Sequence, residues 1–343
     1  MSTNDKGLSA TRAPKLSLLS ERNLPLLATA IVSLAALALI GQFDTWVTLT
    51  LAGLAMGMMI FVMASGLTLV FGLMDVLNFG HGAFISLGAF AGISVLLMLP
   101  SWTGADVAFL NIAAILLAVV AAMGLTGVAG YVFERVIVKP VYGDHLKQIL
   151  ITMGGLIVTE QLIYVLWGPD EITILRPLAL QGSFTFGTIA IEKFRLLAVV
   201  LGLIIFFAMR WTLNGTRLGL VIRAGVENRE MVSALGYRIS MVFILVFVAG
   251  SALAGFGGVL WGLYEEVVTA HMGMNVMILI FIVVIIGGLG SVEGCFIGAL
   301  MVGLLANYTG YLAPKVALGS NILLMVLILM WRPEGLLPVN KSR

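Results

Sequence analysis

The chain has 343 residues, 60% of them hydrophobic and only 10% charged, with a mean hydropathy of +1.10, against roughly 25% charged in an average soluble domain. A net charge of +2 excludes a basic nucleic-acid face, and a single cysteine excludes an internal disulfide framework and a cysteine-based metal site. What remains is an integral membrane protein.

A helix needs about 20 apolar residues to cross the hydrocarbon core, so the gaps between charged residues map the spans. Uncharged runs cover 23–43, 45–74, 76–105, 107–133, 239–264, 267–292, 294–314 and 316–331. Two further spans lie at about 148–167, which holds Glu160, and at 195–211, bounded by Arg195 and Arg210. The expected fold is an all-α integral membrane protein, a bundle of about ten transmembrane helices; alternation over spanning lengths is absent, which excludes a barrel. Residues 1–22 read as a disordered tail, 23–338 as one membrane domain and 339–343 as a short second tail. The first apolar run fits an anchor or a signal peptide; its length and the short interruption at 42–45 favour an anchor.

Lys6, Arg12, Lys15 and Arg22 precede the first run; Arg135, Lys139 and Lys147 flank a later turn; five arginines lie within 210–238; and Arg332, Lys341 and Arg343 close the chain. With ten spans, all four clusters fall on one face, which places both termini in the cytoplasm.

The stretch "FGLMDVLNFGHGAFISLGAF" at 71–90 puts Asp75, Asn78 and His81 between two apolar runs. Gly80 and Gly82 each weaken a helix by about 1 kcal/mol relative to Ala. The break they allow frees backbone groups that need protein or water around them at membrane depth. Asn78 and His81 share a face if the turn is helical, and either line a solute path or bridge to a neighbouring helix. Asp75 reads as a solvated turn residue.

Glu160, in "LIVTEQLIYVLW", is the acid embedded in a span, as a proton-relay group, a path-lining group or the partner of a buried donor. His145 and His271 read as ordinary loop residues. Residues 168–193 form the largest loop of the face opposite the basic clusters, either a connector or a lid, and "FTFGTIAI" alternates around a Gly as a hairpin does.

The segment 212–240, "TLNGTRLGLVIRAGVENREMVSALGYRIS", carries a short amphipathic helix near 226–236, with Met231, Ala234 and Leu235 on one side and Gly236 placed to stop it. It suits either a partner's groove or the membrane interface. Glycines at four-residue spacing, such as Gly53 and Gly57, Gly88 and Gly92, Gly258 and Gly262, point to close helix packing. "HGAFISLGA" at 81–89 echoes "EGCFIGALM" at 293–301, either by chance or as the mark of an internal duplication with paired broken helices.

Four blocks together resemble the membrane permeases of bacterial ABC importers for branched-chain amino acids, specifically the smaller of their two permease types. They are "GLTLVFGLMDVLNFGHGAFISLGAFAG" at 66–92, "GTRLGLVIRAGVENREMVSALGYRIS", "IGGLGSVEGCFIGAL" and "WRPEGLLP". The resemblance runs in order from about 46 to 338. It implies an inner-membrane subunit that is not itself an enzyme and pairs with a second, larger permease chain. Two cytoplasmic ATPase subunits would bind ATP and Mg and hydrolyse the ATP, while this chain binds no cofactor; an extracytoplasmic binding protein would deliver the solute. Arg223, Glu227, Asn228, Ala234, Leu235 and Gly236 would then belong to the helix that couples to an ATPase. Asn78, Gly80, His81, Gly82 and Glu160 are the candidates for solute binding, with no metal or catalytic site. The implied cargo is a branched-chain or other hydrophobic amino acid, or a related small solute such as urea, an amide or an aromatic acid. The alternative of another class is an ion- or proton-coupled carrier using Glu160. An intramembrane acid–base enzyme built on Asp75 and His81 is disfavoured by their spacing of six, and a channel by the lack of a filter motif.

Overall fold

The computed structural model describes residues 24–227 and 229–338. The terminal tails and Asn228 lie outside the described residues.

Among them the structure is almost entirely helical. The helices are α1 Leu24–Ile40, α2 Phe43–Met74, α3 His81–Met98, α4 Pro100–Thr103, α5 Ala108–Phe133, α6 His145–Trp167 and α7 Lys193–Gly215. They continue as α8 Arg217–Glu227, α9 Arg229–Ala234, α10 Ile239–Glu265, α11 Met272–Gly287, α12 Val292–Leu312 and α13 Ala317–Trp331. Seven helices are long and apolar enough to cross a membrane, with three shorter apolar ones at Pro25–Ile40, Met272–Gly287 and Gly319–Trp331. The strands are short: β1 Ile172–Thr173 pairs with β4 Val267–Val268, and β2 Ser183–Phe186 pairs with β3 Ile189–Glu192. The expected hairpin is thus present. Gly187, at φ +66°, takes the first central position of its two-residue turn, where a side chain is strained.

The bundle has two ends. Asp44, Asn111 and the hairpin lie at one, where Thr188 donates to Asp44 and the amide of Ala179 to Asn111 Oδ1 (2.9 Å). The other, basic end carries Asp75 beside His145 (3.9 Å), together with α8 and α9.

At the centre, α2, α3, α10 and α12 bury most of their surface and pack on one another. Small residues permit this. A Cβ on Gly57 would sit 2.7 Å from the Ala299 carbonyl oxygen, and one on Gly88 would overlap Gly255, so helix backbones touch where lipid gives no hydrophobic drive.

Candidate functional site

Two of the central helices stop abruptly and restart. α2 ends at Asp75 (φ +55°), whose N–H bonds to the Phe71 carbonyl at 2.9 Å, and six residues later α3 begins. α10 ends at Glu266 (φ +59°), whose N–H bonds to the Gly262 carbonyl at 2.9 Å, and six residues later α11 begins. Among the described residues these two are the non-glycine positions with positive φ, a conformation that costs an L residue of order 1 kcal/mol or more. "DVLNFGHG" at 75–82 and "EVVTAHMG" at 266–273 therefore share one backbone plan. This pair of breaks is a different one from the echo between 81–89 and 293–301. Residues 293–301 belong to α12, which starts at an ordinary cap where Ser291 Oγ accepts the Gly294 N–H (3.1 Å), whereas the break matching 75–82 lies at 266–273.

The two restarted helices meet at their first turns. A Cβ on Gly82 would lie 3.0 Å from the Gly273 carbonyl, and one on Gly273 would overlap the Gly82 oxygen. From this contact α3 extends toward the hairpin end and α11 toward the basic end. At 1.5 Å per residue each runs about 22–25 Å, so the crossing falls near the middle of a core about 30 Å thick.

A break at that depth needs partners for its freed backbone groups, and α6 supplies them on the basic side. Gln148 Oε1 accepts the Leu77 N–H (3.3 Å), and Thr152 Oγ1 accepts the Phe79 N–H (3.1 Å). Asn78 and His81 are both fully enclosed here. His81 Nε2 lies 2.9 Å from the Met63 carbonyl, while its Nδ1 and both polar atoms of the Asn78 carboxamide have no partner. Gly80 has no room for a side chain, since a Cβ would meet the Phe133 ring at 2.5 Å. Asp75 is exposed, as a solvated turn residue should be. Its neighbour is His145, not His81, so the structure assembles no acid–base pair from the two.

The hairpin-side break is held differently. Ser86 Oγ donates to the Ala270 carbonyl (2.7 Å) and accepts the Gly273 N–H (2.9 Å). Arg176 donates to the last carbonyls of α10, Leu263 and Tyr264, both at 2.8 Å, and lies 3.1 Å from Glu192 and from Glu266. A cation on helix C-terminal carbonyls complements the dipole, and it binds the 168–192 loop to the break. Glu160 is buried with Oε2 3.1 Å from His271 Nδ1; its Oε1 has no partner. The plain surface role expected of His271 is thereby corrected: it is the partner of the embedded acid.

At the basic end, Thr216 Oγ1 caps α8 by accepting the Gly219 N–H (3.2 Å), and Arg223 reaches back to Asn214 (3.0 Å). α8 closes an apolar cleft lined by Leu73 at the end of α2, by its own Val221, Ile222 and Gly225, and by Ile239, Val242 and Phe243 at the start of α10. It therefore touches both helices that end in breaks. α9 stops as expected at Gly236 (φ +88°). The Gly236 N–H bonds to Ser233 (2.9 Å) and the Tyr237 N–H to Val232 (3.3 Å), a Schellman motif. Ala234 and Leu235 face solvent with Met231 and Tyr237, while Glu227 closes α8.

The family model described as "Branched-chain amino acid transport system / permease component" matches residues 49–331. The chain belongs to that family. It is 27% identical over 296 residues to the high-affinity branched-chain amino acid transport system permease protein BraD of Pseudomonas aeruginosa, covering 83% of this chain and 93% of that protein. To the corresponding permease protein LivH of Escherichia coli K12 it is 26% identical over 292 residues, with the same coverage. It is also similar to LivM of that strain, 26% identical over 317 residues, 83% of this chain and 69% of LivM. No solved structure matches. The proton-coupled alternative is not favoured by these matches.

For this permease, the sequence signal that marked 75–82 was glycine among polar residues. The hairpin-side break has no glycine before Gly273 and hides its turn in an acidic pair, Glu265 and Glu266.

Proposed function

We propose that this chain is the permease subunit of an ATP-driven importer that takes up branched-chain or other hydrophobic amino acids together with a second, larger permease chain. In this reading ten helices cross the bacterial inner membrane, the basic end and both termini lie in the cytoplasm, and the hairpin end faces outward. Two cytoplasmic ATPase subunits hold ATP and Mg and do the hydrolysis, and an extracytoplasmic binding protein delivers the solute.

The observation that carries the reading is the seat of α8, against the end of α2 and the start of α10. A push on α9 from an ATPase groove passes through α8 into α2 and α10, the two helices that run into the breaks, and so reaches both ends of the path. Met231, Leu235 and Tyr237 supply an exposed apolar surface for that groove, and Arg223 ties the pair to α7. The unpartnered atoms of Asn78 and His81 become available to the solute when the basic-side break opens around Gly80 and Gly82; Glu160 positions its hairpin-side counterpart.

The test is co-purification. Leu235→Arg is expected to lose the ATPase pair and solute uptake while the permease keeps its thermal midpoint. Uptake that persists in ATP-depleted vesicles, follows a pH gradient and vanishes in Glu160→Gln would instead establish a proton-coupled carrier.

A further inference from the structure

His271, Met274, Asn275 and Ile278 occupy one stripe of α11 at helical spacing, and all four are open to the surroundings, His271, Met274 and Ile278 about half exposed. The stripe starts level with the mid-depth crossing, because Gly273, on the buried face of the same first turn, lies against Gly82. It continues to Phe281, whose ring lies 4.8 Å from that of Phe79 in the other break. Asn275 and His271 are thus exposed polar side chains at a depth where a lipid neighbour could pair with neither, and Gln161, next to Glu160 on α6, is exposed as well. An amide moved from water into hydrocarbon without a partner costs about 4–8 kcal/mol. The wide apolar face of α5, with Leu116, Val120 and Val128 exposed, has no such groups and suits lipid.

We infer that this stripe of α11 is a wall of the solute path, open on this chain alone and closed by the second permease chain. It joins the hairpin-side break to Phe79 at the basic-side break, so a solute following it passes from one to the other. The chemistry fits a small zwitterion with an apolar side chain. Asn275 offers both a donor and an acceptor, the imidazole of His271 is held by Glu160 at 3.1 Å, and Met274 and Ile278 offer apolar contact between and beyond them. Glu160 is a positioning residue, set behind His271 and buried. The inference rests on the importer reading for its solute class, but the exposed polar stripe does not depend on that class.

The chain's one cysteine, Cys295, is fully buried, so introduced thiols can be read against a quiet background. In the assembled transporter, Asn275→Cys and Ile278→Cys are expected to react with a charged, membrane-impermeant methanethiosulfonate, and Val128→Cys on α5 is not. Excess leucine is expected to slow labelling at 275 and 278 at least fivefold. Asn275→Leu is expected to raise the KM for leucine uptake tenfold or more with kcat within twofold of wild type. Glu160→Leu should raise the KM likewise and Glu160→Gln restore it. Absence of labelling at both positions, or labelling indifferent to leucine in a transporter that does import leucine, overturns the inference. Labelling in a transporter that imports no leucine leaves the stripe standing and overturns the cargo proposed above.

Discussion

The two breaks share a backbone and differ in what holds it. At 75–81 the freed amides are taken by neutral side chains of α6, Gln148 and Thr152. At 266–272 Arg176 adds an ionic clamp between Glu192, Glu266 and the end of α10, while Ser86 and Glu160 hold Gly273 and His271. Neutral hydrogen bonds exchange readily when a segment shifts and contribute about 1 kcal/mol each, whereas bonds to a charged group contribute about 1.5–3. The same turn is therefore a yielding joint at the basic end and a clamped one at the hairpin end.

The comparison breaks most completely where the two halves meet. Gly273→Val drives a branched side chain into the Gly82 backbone, where overpacking costs about 1–3 kcal/mol even when neighbours can move. The expected result is loss of the monodisperse protein on size-exclusion chromatography. Next comes Arg176→Leu, which strips the clamp from Leu263, Tyr264 and two carboxylates. The carboxylates are partly exposed, so their share is discounted and a cost of about 3 kcal/mol remains, read as a lower thermal midpoint of the purified transporter. Thr152→Val leaves the Phe79 N–H without an acceptor and should cost about 1–2 kcal/mol. If the joints differ as described, its midpoint falls less than that of Arg176→Leu while hydrogen exchange rises locally at 77–79.

The smallest effect is expected at the start of α6. Asp144 caps that helix by accepting the Lys147 N–H at 3.1 Å and pairs with the Lys147 ammonium at 2.9 Å. The Lys147 contacts hold its carboxyl below the usual carboxylate range. A lowered folded-state pKa means that the cap stabilises above about pH 4, the unfolded value, and is lost as pH falls through the folded one. Asp144→Ala should therefore lower the thermal midpoint slightly at pH 7, and the difference from wild type should shrink as the pH falls through and below that range.

Much of this was legible from composition. Charge-free runs mark the helices, and the glycines of 80–82 and 236 mark a break and a helix end because Gly80 and Gly82 have little or no room for a Cβ and Gly236 takes a positive φ. The second break was hidden: an uninterrupted apolar run at 267–292 reads as one full span, although its first residues form β4 and a turn. Nothing in a run of valines and an acidic pair announces that Glu266 adopts a left-handed conformation. The pairing of Glu160 with His271 was equally out of reach, since the two lie 111 positions apart in the chain and only the fold, which sets the turn before α11 against Glu160 and Tyr164 of α6, joins them.

Where α3 and α11 cross, main chain meets main chain, Gly82 upon Gly273, with the Ser86 hydroxyl and the Met277 side chain beside them. With glycine on both faces no side chain separates the two backbones there, so rotation about the contact is easier than sliding or separation. The crossing is built as a pivot pin: when the yielding joint swings, the clamped one must answer through it. We expect a pair of labels placed beside the pin to keep its separation through the ATP cycle while pairs at either end of the bundle change theirs.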